Sequence, residues 1–223
     1  MSTPPNLPTL PPSLASILIP TARLTLIPFN PSLDSHCDFL VALYNSPEVA
    51  HANKDVARSI PDRATARRIL EENRVSLLST GYGKFIVTLN PDISSAGKDG
   101  EAQIPVGRTG TFIGGVGLKV RKAPGVATVP DIGFSLLRPF WGKGYATEAA
   151  QGLLDYFERE RGVKDVLGFC HPANENSKKM FRRLGFENRG VRDLEGLGPE
   201  GVVVKGVVWA KKGMSEDLGV YGL

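Results

Sequence analysis

Apolar positions along this chain fall into short uninterrupted runs and into stripes on a helical period, and the two kinds alternate. The clearest succession lies between Asp131 and Arg161. Ile132–Leu137 is an apolar run of the length of a buried strand. Pro139, the aromatic pair Phe140 and Trp141, and the glycines Gly142 and Gly144 interrupt it. Ala146, Ala149, Ala150, Leu153, Leu154 and Phe157 then recur at i, i+3, i+4, i+7, i+8 and i+11, which is one stripe of a helix. Arg159 and Arg161 suit the negative end of that helix, and Gly162 suits a left-handed stop.

The same reading extends over the rest of the chain. Arg23–Ile27 alternates like a strand. Asn30 and Pro31 offer a cap and a first position for a helix over Leu33–Tyr44, Pro47 opens a short turn through Ala50 and His51, and Asp62–Val75 has a second amphipathic stripe. Lys84–Leu89 and Thr111–Val120 predict an antiparallel pair, with Gly114, Gly115 and Gly117 marking a bulge or a close backbone approach in the second strand. Between them, residues 90–108 are rich in Gly, Asp and Ser and read as a flexible loop or an insertion. Val166–His171 is another strand. Asn174 is a natural cap for a helix over Glu175–Leu184, closed by Gly185. Asn188–Leu194 and Val202–Ala210 predict the last strands, and Lys211–Leu223 reads as a frayed tail.

Composition adds little beyond limits. The chain has 223 residues, 41% of them hydrophobic and 22% charged, so one globular domain is expected. A Pro-rich segment, residues 1–20, lacks the basic start of a signal peptide and reads as a poorly ordered tail. The net charge of +4 is spread over both signs, which suits an anionic ligand without requiring nucleic acid, and no helix-turn-helix or zinc pattern accompanies the basic residues. Cys37 and Cys170 are too few for a disulfide framework and point to reduced thiols in a cytoplasmic protein. No membrane-length apolar run and no metal-ligand spacing among the three histidines is present.

A strand, a glycine turn and a helix start make an anion site. The first N–H groups of a helix lack partners, the helix dipole adds positive charge there, and glycine lets phosphate oxygens approach the main chain. A Walker loop would need Ser or Thr after Lys143, where Gly144 stands. A dinucleotide fingerprint would need Gly or Ala at Thr147 and an acid ending the next strand, which instead ends Phe169-Cys170-His171. Trp141-Gly142-Lys143-Gly144-Tyr145-Ala146 resembles the Q/R-x-x-G-x-G/A acetyl-CoA loop of the GNAT N-acetyltransferase superfamily, with Trp in place of the usual Gln or Arg. Asn174 to Ser177, followed by Leu184-Gly185-Phe186, is similar to the N-x-x-S…LGF segment that ends the same fold. Both wordings, and the opening Thr21-Ala22-Arg23-Leu24-Thr25-Leu26, resemble the ribosomal-protein N-terminal acetyltransferase branch over nearly the whole chain.

The resemblance implies an α/β fold occupying residues 21–212. Its centre would be a mixed, mostly antiparallel sheet of six or seven strands with helices on both faces. The fourth and fifth strands, here Pro130–Leu137 and Val166–His171, would splay apart around the pantetheine arm. It implies acetyl-CoA as cosubstrate, with no metal, bound by Phe134, Leu136, Trp141, Gly142, Lys143, Gly144, Tyr145, Ala146, Thr147, Asn174, Ser177 and Phe181. The acceptor would be a small amine or a protein N-terminus attacking the thioester directly. Many relatives protonate the thiolate with a Tyr four residues after the N-x-x-S serine; Phe181 cannot, so Ser177 is the candidate donor, or else only a first-turn serine. Asp131 is the candidate base, acting directly, through water or by orienting the acceptor, against a relay through bulk water. His51, Asn53 and Lys54 either border the acceptor pocket or are exposed loop residues. Lys178, Lys179, Arg182 and Arg183 either meet the 3′-phosphate or form a solvated face. A non-catalytic acyl-CoA-binding module is the alternative function, which the missing phenol at Phe181 permits.

Overall fold

A computed structural model describes residues 17–52, 60–91, 110–121, 126–198 and 201–223. Among the described residues eight strands form one sheet: β1 (Ile19–Pro20), β2 (Leu24–Pro28), β3 (Lys84–Leu89), β4 (Thr111–Lys119), β5 (Asp131–Leu136), β6 (Leu167–Cys170), β7 (Phe186–Leu194) and β8 (Val204–Lys211). Their spatial order is β1-β2-β3-β4-β5-β6-β8-β7, and every neighbouring pair is antiparallel except β5 and β6, which run parallel. The architecture is the expected mixed sheet with one strand more than the upper expectation. The extra strand is β1, where the end of the Pro-rich segment pairs Ile19 with Leu26. The expected fourth and fifth strands are therefore β5 and β6.

Helices cover both faces. Helices α1 (Asp34–Asn45), α2 (Pro47–Ala52) and α3 (Arg63–Thr80) lie on one face, where Leu40, Leu43, Ala66 and Leu70 bury Ile86. On the other, α4 (Tyr145–Arg161) sets Ala149, Ala150, Leu153, Leu154 and Phe157 against Phe85, Val116 and Ile132. These are the residues of the predicted stripe apart from Ala146, which is half-buried at its start. Gly144 (φ 81°) and Gly162 (φ 64°) bound α4 in the left-handed region, where a Cβ is strained. Helix α5 (Glu175–Arg183) joins the same face through Met180 and Phe181.

Some boundaries differ from the pattern. Asn30 does not cap α1; its carboxamide oxygen accepts from Ser32 N at 2.9 Å, its own N–H donates to His36 Nδ1, and the helix begins at Asp34. Helix α3 runs past Val75 to Thr80, capped by the Asp62 side chain and stopped by Gly81. The stretch after Lys211 is packed rather than frayed: Met214, Leu218 and Tyr221 are buried over Leu167, Val208 and Ala210, on the side of the sheet away from α5. Gly114 and Gly117 of β4 serve close approach, since a Cβ would lie 2.4 Å from Ser135 O at the first and 2.6 Å from Gly83 O at the second. The pairing of β3 with β4 also slips at this point, between Val87 and Thr88. Most of the loop 90–108 lies outside the described residues.

Candidate active site

The site begins with strand alternation. Leu137 N donates to Ile113 O at 2.9 Å, and Leu167 N donates to Pro130 O at 2.9 Å. Odd-numbered main-chain groups of β5 therefore face β4, and even-numbered ones face β6. The register of β5 with β6 holds only two pairs, Asp131↔Leu167 and Ile132↔Gly168. Beyond them, the edge carrying the Phe134 and Leu136 main-chain groups has left the ladder. The Leu136 carbonyl is taken by Trp141 Nε1 at 2.7 Å, which ties the expected cofactor loop back to the strand.

Phe181 occupies the foot of this gap. Its ring is fully buried, stacked on Trp209 at 5.6 Å and edge-on to Phe134 at 5.9 Å. A Cβ on Gly168 would lie 2.1 Å from the Phe181 ring, so this glycine makes room for it. Ser177 precedes Phe181 by four residues and so shares its side of α5, one turn nearer the open end of the gap. The residue is buried, and its N–H donates to Asn174 Oδ1 at 3.0 Å. Asn174 is thus the N-cap of α5, as its position predicts.

At the open end, the 3-10 turn Arg138–Phe140 leads into Trp141, Gly142, Lys143 and Gly144. Gly142 (φ 73°) and Gly144 (φ 81°) turn the main chain, and no side chain caps the start of α4. A Cβ on Gly142 would meet nothing within 4 Å, and one on Gly144 only Arg23 Nη2 at 3.4 Å. The first N–H groups of α4 therefore sit behind an unobstructed surface, which suits a phosphate. Lys143 and Gly142 are exposed, while Tyr145, Ala146 and Thr147 are half-buried under the turn.

One set of residues went unnoticed in the sequence pattern. Arg23 holds this loop from the far end of the sheet: Nη1 donates to Lys143 O at 3.0 Å, Nε donates to Glu148 Oε2 at 2.7 Å, and the guanidinium lies 4.6 Å over the Tyr145 ring. Thr21 Oγ1 and Arg23 N each donate to Glu148 Oε1 at 2.7 Å. Burial pushes the Glu148 carboxyl up, but these hydrogen bonds outweigh it and leave it below the usual range. The available signal was a contradiction: an acidic residue in the first turn of a helix read as an anion site needs a nearby cation to cancel it.

Asp131 lies at the closed end of the gap. Arg121 Nε donates to Asp131 Oδ2 at 2.7 Å and Nη2 to Oδ1 at 2.9 Å, with both side chains largely buried. Both oxygens are thus engaged by a guanidinium, the geometry of a structural anchor. His51 is exposed, and Asn53 and Lys54 lie outside the described residues. The basic cluster of α5 divides: Lys178 pairs with Glu175 at 2.7 Å, Arg182 leans over the Trp209 ring at 5.6 Å, and Lys179 and Arg183 are exposed. No group of three or more His, Cys, Asp or Glu that could hold a metal occurs among the described residues. No helix among them is long and apolar enough to cross a membrane.

Comparisons with known proteins agree with this geometry. The family model described as Acetyltransferase (GNAT) domain matches residues 23–187. The chain is 34% identical over 125 residues to the uncharacterized N-acetyltransferase p20 of Bacillus licheniformis, a match spanning 55% of this chain and 68% of that one. It is 36% identical over 78 residues to the uncharacterized protein YkkB of Bacillus subtilis, spanning 35% of this chain and 45%, less than half, of YkkB. Among solved structures, the Salmonella typhimurium acetyl transferase described as modifying the N-terminal serine of ribosomal protein L7/L12 superposes with a TM-score of 0.63. That match has 16% identity over 87% of this chain and 98% of the other. The Microcin C7 self immunity acetyltransferase MccE, solved with acetyl-CoA and AMP, superposes at 0.62 with 18% identity over 85% and 92%. These structural likenesses establish the fold. The sequence match, running from the Arg23 that holds the loop to the strand after α5, makes this chain a member of the GNAT acetyltransferase family.

Proposed function

We propose that this protein transfers the acetyl group of acetyl-CoA to a primary amine, a small molecule or a protein N-terminus, by direct attack within a ternary complex. The observation that carries the reading is the parallel pair β5 and β6, which parts after two residues beside a glycine-opened helix start. The residues present fit the cosubstrate. The open surface at Gly142 and Gly144 accepts the pyrophosphate, and the freed edge at Phe134 and Leu136 accepts an extended amide arm. Bound acetyl-CoA supplies the acetyl group as an activated thioester.

This chain's residues then have three tasks. The Phe134 and Leu136 main chain orients the arm and offers N–H donors where negative charge develops. Ser177, on the side of α5 that faces the gap, supplies a proton to the departing sulfur or holds a water that does. Phe181 has no proton to give and keeps water from the foot of the gap. Asp131 serves as an anchor for Arg121 rather than as the base, so the acceptor ammonium loses its proton to water. The acceptor's approach is limited by packing. The α4 and α5 face of β5 is filled by Ile132, Phe134 and Leu136, whereas the opposite face presents Gly133, exposed, with nothing within 4 Å of its Cβ position. The amine enters on that side.

The test is thiol release from acetyl-CoA with a panel of amines and N-terminal peptides, alongside calorimetry of coenzyme A. Turnover with any amine is the expected result. Tight binding without turnover of any acceptor would instead favour an acyl-CoA-binding module.

A further inference from the structure

On the acceptor side of β5 the sheet carries glycine at two neighbouring positions, Gly117 and Gly133. Register places Lys84, Gly117 and Gly133 in one row across β3, β4 and β5. Adjacent strands lie about 4.8 Å apart, so the row leads from Lys84 to the freed edge of β5 in two short steps. Lys84 leans across the first step: a Cβ on Gly117 would lie 2.9 Å from Lys84 Cγ. Its Nζ donates to the Tyr44 hydroxyl of α1 and lies 4.5 Å from that ring. Among the described residues Nζ has no carboxylate partner. The nearby carboxylate, Asp131, is occupied on both oxygens by Arg121. Lys119 of β4 adds a second positive charge that acts on Lys84. A half-buried ammonium with no carboxylate bonded to it among the described residues, beside an open floor at the point of amine entry, invites an anion.

We propose that Lys84 and Tyr44 form a specificity site that binds a carboxylate carried by the acceptor, on the far side of Gly117 from the reacting amine. The inference rests on the acetyltransferase reading above and specifies its substrate class as an amine bearing a carboxylate. Nζ keeps two protons beyond the one given to Tyr44, and the phenol keeps its own, so two donors converge on one carboxylate. Desolvation, reinforced by Lys119, lowers the Lys84 ammonium to about 8, and a bound carboxylate would reverse that shift.

The experiment uses the full chain loaded with coenzyme A and two matched pairs of probes. One pair is alanyl-glutamyl-alanine amide and alanyl-glutaminyl-alanine amide; the other is 4-aminobutyrate and 4-aminobutyramide. Calorimetry reads binding without requiring turnover, and thiol release from acetyl-CoA reads kcat and KM separately. The carboxylate member of at least one pair should bind about tenfold or more tightly, the low end for a charge-assisted hydrogen bond. Lys84→Met should abolish that preference by raising KM for the carboxylate member about tenfold more than for the carboxamide member. Tyr44→Phe, which keeps the ring, should reduce the preference several-fold and stands in if Lys84→Met does not fold. Equal binding within both pairs, no binding of either carboxylate, or a preference that survives the substitutions overturns the proposal. Absence of thiol release with coenzyme A binding intact overturns the acetyltransferase reading alone, because the calorimetric preference still reports on Lys84.

Discussion

The two sides of strand β5 differ in kind. Toward α4 it sets Ile132, Phe134 and Leu136 into a continuous apolar core, with Phe181 closing the foot of the gap. Toward α1 and α3 it presents Gly133 and half-buried Ser135, beside glycines of β4 and a lysine of β3. A single alternating strand can do both because successive side chains point to opposite faces. On the function proposed above, the packed side would support the cofactor arm and the open side would receive the acceptor.

Four perturbations sharpen this contrast, beginning with the largest. Arg121→Ala leaves Asp131 buried without its partner and should destabilise the fold by about 3–5 kcal/mol, read by urea unfolding. If Asp131 were also the catalytic base, the substitution would in addition shift the pH profile of kcat. Gly144→Asp places a strained side chain and a negative charge before α4, so coenzyme A affinity should fall by at least about 100-fold in calorimetry. Wild-type affinity in that variant would show that the phosphates bind elsewhere.

On the gap itself, Ser177→Ala should lower single-turnover kcat by about 10- to 100-fold, with little change in coenzyme A affinity. An unchanged rate removes Ser177 from the chemistry, and a large loss of affinity reassigns it to binding. The smallest effect lies on the open side. With the folded Lys84 ammonium lowered to about 8 against an ordinary 10.5, the unfolded chain binds more protons between those values. Stability gained from this site therefore rises with pH across that window, and the cost of burying the charge is greatest below it. Lys84→Met should then stabilise the protein at pH 7 by on the order of 1–3 kcal/mol, an advantage that shrinks toward pH 10. An advantage independent of pH would mean that packing, not charge, is responsible. Lys119, Asp131 with Arg121, and Tyr44 all face this group, so the comparison is between variants at each pH, where their own titrations largely cancel.

The elements around the expected cofactor loop were readable because their parts are contiguous. Helix α4 runs from Tyr145 to Arg161, between the two glycines that the pattern marked, and Asn174 caps α5 where its spacing placed it. Gly142, Gly144, Ser177 and Phe181 each sit in a local motif whose physics is that of one turn or one helix end. The anchors of the same loop were not readable. Arg23 and Glu148 are 125 residues apart, and nothing in either neighbourhood announces the other. The packing of the tail after Lys211 was not readable either: Met214, Leu218 and Tyr221 stand at i, i+4 and i+7, but among glycines and charges only the short 3-10 turn Leu218–Tyr221 forms, and these side chains are buried by β6 and β8.

What the chain by itself determined was the set of elements and the glycine turn before α4, since hydrophobic period, caps and left-handed glycines act over a few residues. Tertiary structure alone decided what Asp131 and Lys84 can do. Both are charged residues at strand ends, alike in the sequence. One meets Arg121 across a turn and is neutralised by two hydrogen bonds. The other is carried over Gly117 to a phenol, with no carboxylate partner among the described residues. The energy of a charge depends on which groups surround it in space, and pairing across strands and helices sets those groups, not the order of residues along the chain.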